Sequence, residues 1–310
     1  MTVSPVRRVA VIGAGTIGAS WTAAFLSRGM EVVAYDPSPG APDLIRRMIE
    51  AAWPVLQRLG ATADADPAKW RFETDPLRAV EGAQFVQESA PERYDVKAGL
   101  LPAISGVLGE EVVIASSSSG LLGSRLREGC RFPGRVLVGH PFNPPHLIPL
   151  VEVVSGPGTD PRAVAAAMDF YRSVGKYPIE IRKEVPGHLA NRLQAALWRE
   201  AVHLVEAGVA SVADVDAAIT EGPGLRWALM GPHATFHLAG GAGGMAHFMD
   251  HLMPAVTSWW EDLGQPVVTQ DVQRMLVAGV DEEMAGRSVA EMAARRDAFL
   301  TALLELRRTS

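Results

Sequence analysis

Residues 138–154 read VGHPFNPPHLIPLVEVV. An imidazole, His140, ends one apolar run, and a lone carboxylate, Glu152, sits inside the next. Pro141, Pro144, Pro145 and Pro149 lie between them, each fixing its own φ and stiffening the turn. If the chain folds back over that turn, the two side chains meet. A carboxylate on one ring nitrogen sets the tautomer and stabilises the imidazolium, which leaves the other nitrogen to take a proton. Oxidation of an alcohol needs such a base, which removes the hydroxyl proton while hydride leaves the carbon. A loop histidine and a solvent-facing strand glutamate fit the same stretch, so the rest of the chain has to choose.

A hydride acceptor needs its own site, and VIGAGTIG (11–18) supplies the pattern of one. Gly13, Gly15 and Gly18 fit G-x-G-x-x-G, with Thr16 and Ile17 in the first helical turn. Gly13 permits a tight turn, Gly15 lets backbone approach a pyrophosphate, and Gly18 lets helix pack on strand. The helix N-terminus adds free N–H groups and a positive dipole end. The motif follows a strand pattern, opens a helix, and is answered by Asp36 at the end of the next strand. Asp36 is expected to accept from ribose hydroxyls and repel a 2′-phosphate, which favours NAD over NADP.

Two further stretches fall where open α/β sheets bind ligands. SSSS (116–119) ends the run EVVIA, although serine runs also occur in plain loops. VPGHLANRL (185–193) opens a helix, with Asn191 about one turn in. An amide there can orient a substrate oxygen or a histidine, or simply serve as a surface or capping residue.

These residues hang on a regular alternation. Strands are expected at 8–12, 31–36, 83–89, 111–117, 135–139, 150–154 and 177–181, with helices near 16–28, 42–59, 92–104 and 160–173. Pro102 weighs against the third helix. The pattern describes an α/β domain with a largely parallel sheet over residues 1–185. Beyond 186 the spacing is helical throughout, near 188–207, 211–220, 243–263, 267–279 and 288–307, giving an all-α second domain over 186–310. The apolar stripe of Phe248, Leu252, Val256, Trp259 and Trp260 suits burial against a partner subunit or ordinary core packing.

Composition narrows the class. The chain has 310 residues, 48% hydrophobic, with net charge −6 and no large basic block, which argues against nucleic acid as partner. Cys130 is alone, so no internal disulfide forms and a reducing compartment is expected. There is no signal-like N-terminal core and no apolar stretch long enough to span a bilayer. The expectation is a cytoplasmic protein with a small-molecule substrate and no metal site.

The ordered set GAGTIG, PERYDVK (91–97), SSSSGL (116–121), GHPFNP (139–144), LVEVV (150–154) and VPGHLANRL resembles the L-3-hydroxyacyl-CoA dehydrogenase family over nearly the whole chain. That resemblance implies a Rossmann-type domain, a helical domain, NAD as cofactor and a homodimer built through the helices. It implies His140 and Glu152 as the catalytic dyad, with Ser119, Asn143 and Asn191 beside them and Glu92 and Lys97 contacting the cofactor. Within the family, DPSPGA (36–41), QESAPER (87–93) and GPGLRWALMG (222–231) look like members acting on free 3-hydroxy acids, the L-carnitine and L-gulonate dehydrogenase groups. A 3-hydroxyacyl-CoA substrate and a non-catalytic NAD-binding structural role stay open as alternatives.

Two departures bear on the substrate: His188 stands where the family usually has Phe, and His146 where the carnitine enzyme has an aromatic. A quaternary ammonium wants an aromatic cage, for which Trp198, Trp227 and Phe236 are candidates unless they are core residues. CoA phosphates would want cations, and Arg46, Arg47, Arg58 and Lys69 are near the right region. A free carboxylate would want Arg192 or Arg226.

Overall fold

Short runs of Val, Ile, Ala and Phe leave no polar face, so they suit strands covered on both sides. In the computed structural model, which describes residues 6–309, they form the centre of one eight-stranded sheet. In chain order the first unit runs β1 (Arg8–Ile12), α1 (Thr16–Leu26), β2 (Glu31–Tyr35), α2 (Ala41–Arg58), β3 (Trp70–Glu73), α3 (Pro76–Ala79), β4 (Phe85–Glu88), α4 (Tyr94–Val107), β5 (Val113–Ser116), α5 (Gly123–Leu126), β6 (Val136–Pro141), β7 (Leu150–Val154), α6 (Pro161–Ser173) and β8 (Tyr177–Ile181). The sheet order is β3-β2-β1-β4-β5-β6-β7-β8. Every pairing is parallel except β6 with β7.

That one reversal carries the site. The stiff turn after β6 sends the chain straight back, and the antiparallel register sets His140 opposite Glu152. The opening expectation of a fold-back over the prolines therefore holds.

Helix α1 is buried along most of its length because it lies inside the molecule, with Trp21 stacked on Phe25 at 5.0 Å and on Tyr171 at 5.8 Å. Fully burying such side chains contributes about 1.5–3 kcal/mol each. Helix α2 shows one buried stripe, Ala41, Ile45, Ile49, Ala52 and Leu56, at helical spacing.

Three expectations needed correction. Strand β3 was not anticipated; it is a short edge strand, WRFE, whose alternating charges mask its apolar face. Helix α4 runs through Pro102 to Val107. The single helix expected at 243–263 is two, α11 (Gly244–His251) and α12 (Met253–Asp262), with Pro254 in the first turn of the second, where its missing N–H costs nothing.

The remaining helices are α7 (Ala190–Glu206), α8 (Val212–Thr220), α9 (Pro223–Trp227), α10 (Pro232–Ala239), α13 (Gln270–Met284) and α14 (Val289–Thr309). Helices α9 and α10 are short and hide among glycines and prolines, so periodicity missed them. By contacts the chain divides into residues 1–192 with 294–310, and residues 193–293. Reading along the chain groups 186–310 together; in three dimensions the last turns of α14 return to the first unit, where Glu305 pairs with Arg58 at 2.8 Å.

The second unit caps α8 with a reciprocal Ser211–Asp214 box and buries Val202, Val205, Phe248 and Val272. Of the two readings offered for Trp198, Trp227 and Phe236, the core one does not hold, since all three are exposed, as are Trp259 and Trp260. No helix among the described residues is long and apolar enough to cross a membrane.

Candidate active site

The glycine turn meets its steric demands residue by residue. Gly13 has φ +97°, and a Cβ there would lie 2.5 Å from the Ala90 nitrogen. A Cβ on Gly18 would lie 1.8 Å from the Gly13 carbonyl oxygen, so α1 can sit this close to β1 only with glycine. Gly15 is the opposite case, for nothing lies within 4 Å of where its Cβ would be. It precedes α1 without any side-chain cap on the helix, and Thr16 is exposed beside it. An open glycine face beside uncapped first-turn N–H groups fits a dinucleotide pyrophosphate.

Asp36, half-buried, accepts from the Ala14 N–H and the Ser38 N–H, both at 2.8 Å. These bonds fix the carboxylate at the end of β2, where a ribose reader belongs.

Below the turn, Lys97 is 1% exposed. Its ammonium bonds both Glu88 carboxylate oxygens at 2.5 and 2.7 Å and also the Ala90 carbonyl oxygen. The charge the resemblance would set against the cofactor is thus held by β4 and stiffens the floor of the turn. Glu92 likewise faces the serine run. Its Oε1 accepts from Ser118 Oγ at 2.7 Å and from the Ser119 and Gly120 N–H groups at 2.9 Å, which shapes the loop after β5.

The dyad residues are together. His140 Nδ1 lies 2.7 Å from Glu152 Oε2, and both residues are buried. Glu152 Oε1 accepts from the Leu189 and Ala190 N–H groups at 2.9 and 2.8 Å. Those donors converge because Gly187 and His188 are both left-handed, at φ 75° and 51°. Burial of Glu152 disfavours its charge, but the His140 bond, the two backbone donors and the His140 charge together hold its carboxyl below the usual range. In the neutral ring, an acceptor on Nδ1 fixes the proton there and leaves the lone pair on Nε2. No group among the described residues holds Nε2.

Behind His140, Gly139 gives the Tyr171 hydroxyl room, since a Cβ would come within 2.1 Å of it. Tyr171 donates to Gln87 at 2.6 Å, and Gln87 in turn donates to the Gly139 and Ala115 carbonyl oxygens. This network ties β4, β5 and β6 together one residue before His140.

The other expected residues divide. Asn191 Nδ2 donates to the Ser119 carbonyl oxygen at 3.3 Å, joining the start of α7 to the serine loop. Asn143 is exposed, and its amide makes no hydrogen bond among the described residues. His188 is buried with its ring 5.3 Å from that of His140. Its Nε2 lies 3.0 Å from the Ser118 carbonyl oxygen, and its Nδ1 is buried without a partner. Burial holds its pKa below the usual value. His146 points elsewhere, with Nδ1 on Ser20 Oγ at 2.8 Å, and burial pushes its pKa down to about 4. Among the cations suited to CoA phosphates, Arg46 pairs with Asp43, Arg58 with Glu305, and Lys69 donates to the Gly29 carbonyl oxygen. Arg192 donates to the Pro186 carbonyl oxygen. No cluster of His, Cys, Asp and Glu suited to a metal occurs among the described residues.

A dinucleotide turn beside a buried imidazole–carboxylate pair defines a nicotinamide-dependent dehydrogenase. The chain belongs to the 3-hydroxyacyl-CoA dehydrogenase family: residues 8–185 match its NAD binding domain and residues 187–282 its C-terminal domain. It is 51% identical to an L-carnitine dehydrogenase of Nocardiopsis dassonvillei over 97% of this chain and 92% of that one. It is 52% identical to that of Streptomyces coelicolor over 94% of this chain and 92% of that one. Among solved structures, an NAD+-dependent 5-formyl-3-hydroxy-2-methylpyridine 4-carboxylic acid 5-dehydrogenase superposes with TM-score 0.81 at 33% identity, covering 98% of both chains. The protein is an NAD-dependent oxidoreductase, which sets aside the non-catalytic structural reading.

Proposed function

We propose that the protein oxidises the 3-hydroxyl of a small L-3-hydroxy acid, carnitine or a close analogue, to the 3-keto acid. NAD, when bound at the glycine turn, supplies the hydride acceptor. The chain supplies the base. His140 Nε2 takes the hydroxyl proton, and Glu152 holds the imidazole in the right tautomer and balances its positive charge. Leu189 and Ala190 N–H groups keep Glu152 ionised for that role. Asn191, Ser119 on the loop after β5 and Asn143 on the turn after β6 orient the substrate oxygens, and Glu92 anchors the Ser119 loop. Gly13, Gly15, Thr16, Ile17, Gly18 and Asp36 hold the dinucleotide, with Lys97 beneath them.

The observation that carries this reading is the 2.7 Å His140–Glu152 contact with Nε2 left free. Carnitine is favoured over gulonate by the named relatives at 51% and 52% identity. It is favoured over a CoA ester because three of the four cations suited to the phosphates are already engaged. The exposed Trp198, Trp259 and Trp260 support a homodimer in which a second copy covers the helical unit. Light scattering on purified protein should give twice the chain mass.

The deciding experiment follows NADH formation with L-carnitine, L-gulonate, L-3-hydroxybutyrate and L-3-hydroxybutyryl-CoA at mildly alkaline pH. Carnitine should turn over fastest. Turnover of the CoA ester alone would overturn the substrate assignment.

A further inference from the structure

A cavity of about 550 Å³ opens on the nucleotide-binding unit, and neither His140 nor Glu152 lines it. Its wall combines aliphatic side chains, Leu56 and Leu304 among them, with Arg28, Lys176, Arg307 and Arg308, and includes no Asp or Glu. The Lys176 ammonium is already used, on the Pro145 and Ile148 carbonyl oxygens. None of the three guanidiniums forms an ion pair among the described residues.

Two of these guanidiniums converge on one glycine. Arg28 Nη1 donates to the Gly60 carbonyl oxygen at 3.0 Å. Arg308 lies over the bare face of Gly60, where a Cβ would be 2.7 Å from its Nη2. Arg28 has a matching seat on Gly175, where a Cβ would be 2.6 Å from its own Nη2. Burial and the Arg308 charge both work against the Arg28 cation. Like charges held this close, facing an apolar wall and lacking a carboxylate, are stabilised by an anion that both forks can grip.

We propose that this cavity binds an organic anion, a phosphate monoester or carboxylate head on Arg28, Arg307 and Arg308 with its apolar body along Leu56 and Leu304. The ligand is neither the hydroxy acid nor the dinucleotide, whose proposed residues lie elsewhere. Leu147, Pro149 and Leu150 also line the cavity, so an occupant touches the segment that joins His140 to Glu152.

The test is calorimetric titration of the full chain with octyl phosphate, octanoate and inorganic phosphate. One saturable site is expected for octyl phosphate or octanoate, and the tighter of the two identifies the head group. Arg308→Met should weaken binding roughly tenfold or more, the loss expected for charged hydrogen bonds. Leu304→Asp, which sets a carboxylate among the guanidiniums without removing one, should abolish it. Unchanged NADH affinity in both variants shows that they are folded. Absence of binding by every probe, or equal binding in wild type and both variants, would overturn the site. Inorganic phosphate binding as tightly as octyl phosphate would overturn the apolar half of the proposal.

Discussion

Glu152→Gln is the most informative perturbation because the carboxylate answers to two kinds of donor. Oε1 receives two backbone N–H groups at 2.9 and 2.8 Å, and Oε2 faces His140 Nδ1 at 2.7 Å. An amide has only one oxygen. If that oxygen faces His140, the NH2 meets two buried donors, each left unsatisfied at a cost of about 1–3 kcal/mol. The amide should therefore turn its oxygen to Leu189 and Ala190 and its NH2 to the imidazole. Nδ1 must then accept, the proton moves to Nε2, and the atom that should take the substrate proton has no lone pair. Loss of the base predicts a fall in kcat of about 10²–10⁴-fold, about 3–5 kcal/mol on the barrier. NADH affinity should persist, since Glu152 touches no part of the glycine turn. Turnover with L-carnitine and fluorescence titration of NADH measure the two quantities. A folded variant within about fivefold of wild-type kcat would refute the dyad, since base loss alone predicts at least about 10². The same variant also tests acid stability. A carboxyl held below its ordinary 4.5 contributes stability that is complete above that value and is lost as pH falls through the lowered one. The Gln variant lacks this contribution, so its thermal midpoint should fall less than that of wild type on acidification below pH 4.5.

Asp36→Ala should weaken NAD binding and erase discrimination against NADP, read as the ratio of kcat/KM for the two cofactors; an unchanged ratio would mean that Asp36 does not read the ribose. Lys97→Met strands Glu88 as a buried, unpaired charge and should cost about 3–5 kcal/mol in denaturant unfolding. Adding Glu88→Gln should recover most of that loss, and no recovery would argue against the pair as its source. Gly18→Ala drives a methyl into the Gly13 carbonyl oxygen, so NADH binding should disappear in fluorescence titration; retained affinity would show that α1 can shift without opening the turn.

Much of the frame was legible because buried parallel strands announce themselves as unbroken apolar runs. The strands β1, β2, β4, β5, β7 and β8 fall within expected stretches, and β6 runs two residues past its own, to Pro141. What was illegible has local causes. Strand β3 is an edge, where charge is tolerated and the apolar signal is diluted. The end of α14 meets α2 at Glu305 and Arg58, 247 residues apart, and no local pattern encodes that meeting. The exposed tryptophans of the helical unit look like core residues in sequence because an apolar stripe has the same spacing whether its cover is the same chain or another.

The site divides along the same line. Spacing allows His140 to meet Glu152 across a stiff turn between two strands, but it fits a loop histidine and a solvent-facing glutamate as well. The residues that make the pair workable were not visible. A lone acid within LVEVV signals a cost, because a buried carboxylate without donors would sooner be neutral. Its two backbone donors arrive from 37 and 38 residues away. They are aimed by consecutive left-handed residues, of which Gly187 gives a hint and His188 gives none. Position 188 thus does two jobs. Its backbone aims the N–H groups at Glu152, while its ring, tied to the Ser118 carbonyl oxygen, lies against His140. A phenylalanine at this position could pack against the imidazole equally well, but it could not donate to the Ser118 carbonyl oxygen. The histidine therefore links the serine loop to the dyad, two parts of the site that the sequence presents as unrelated motifs.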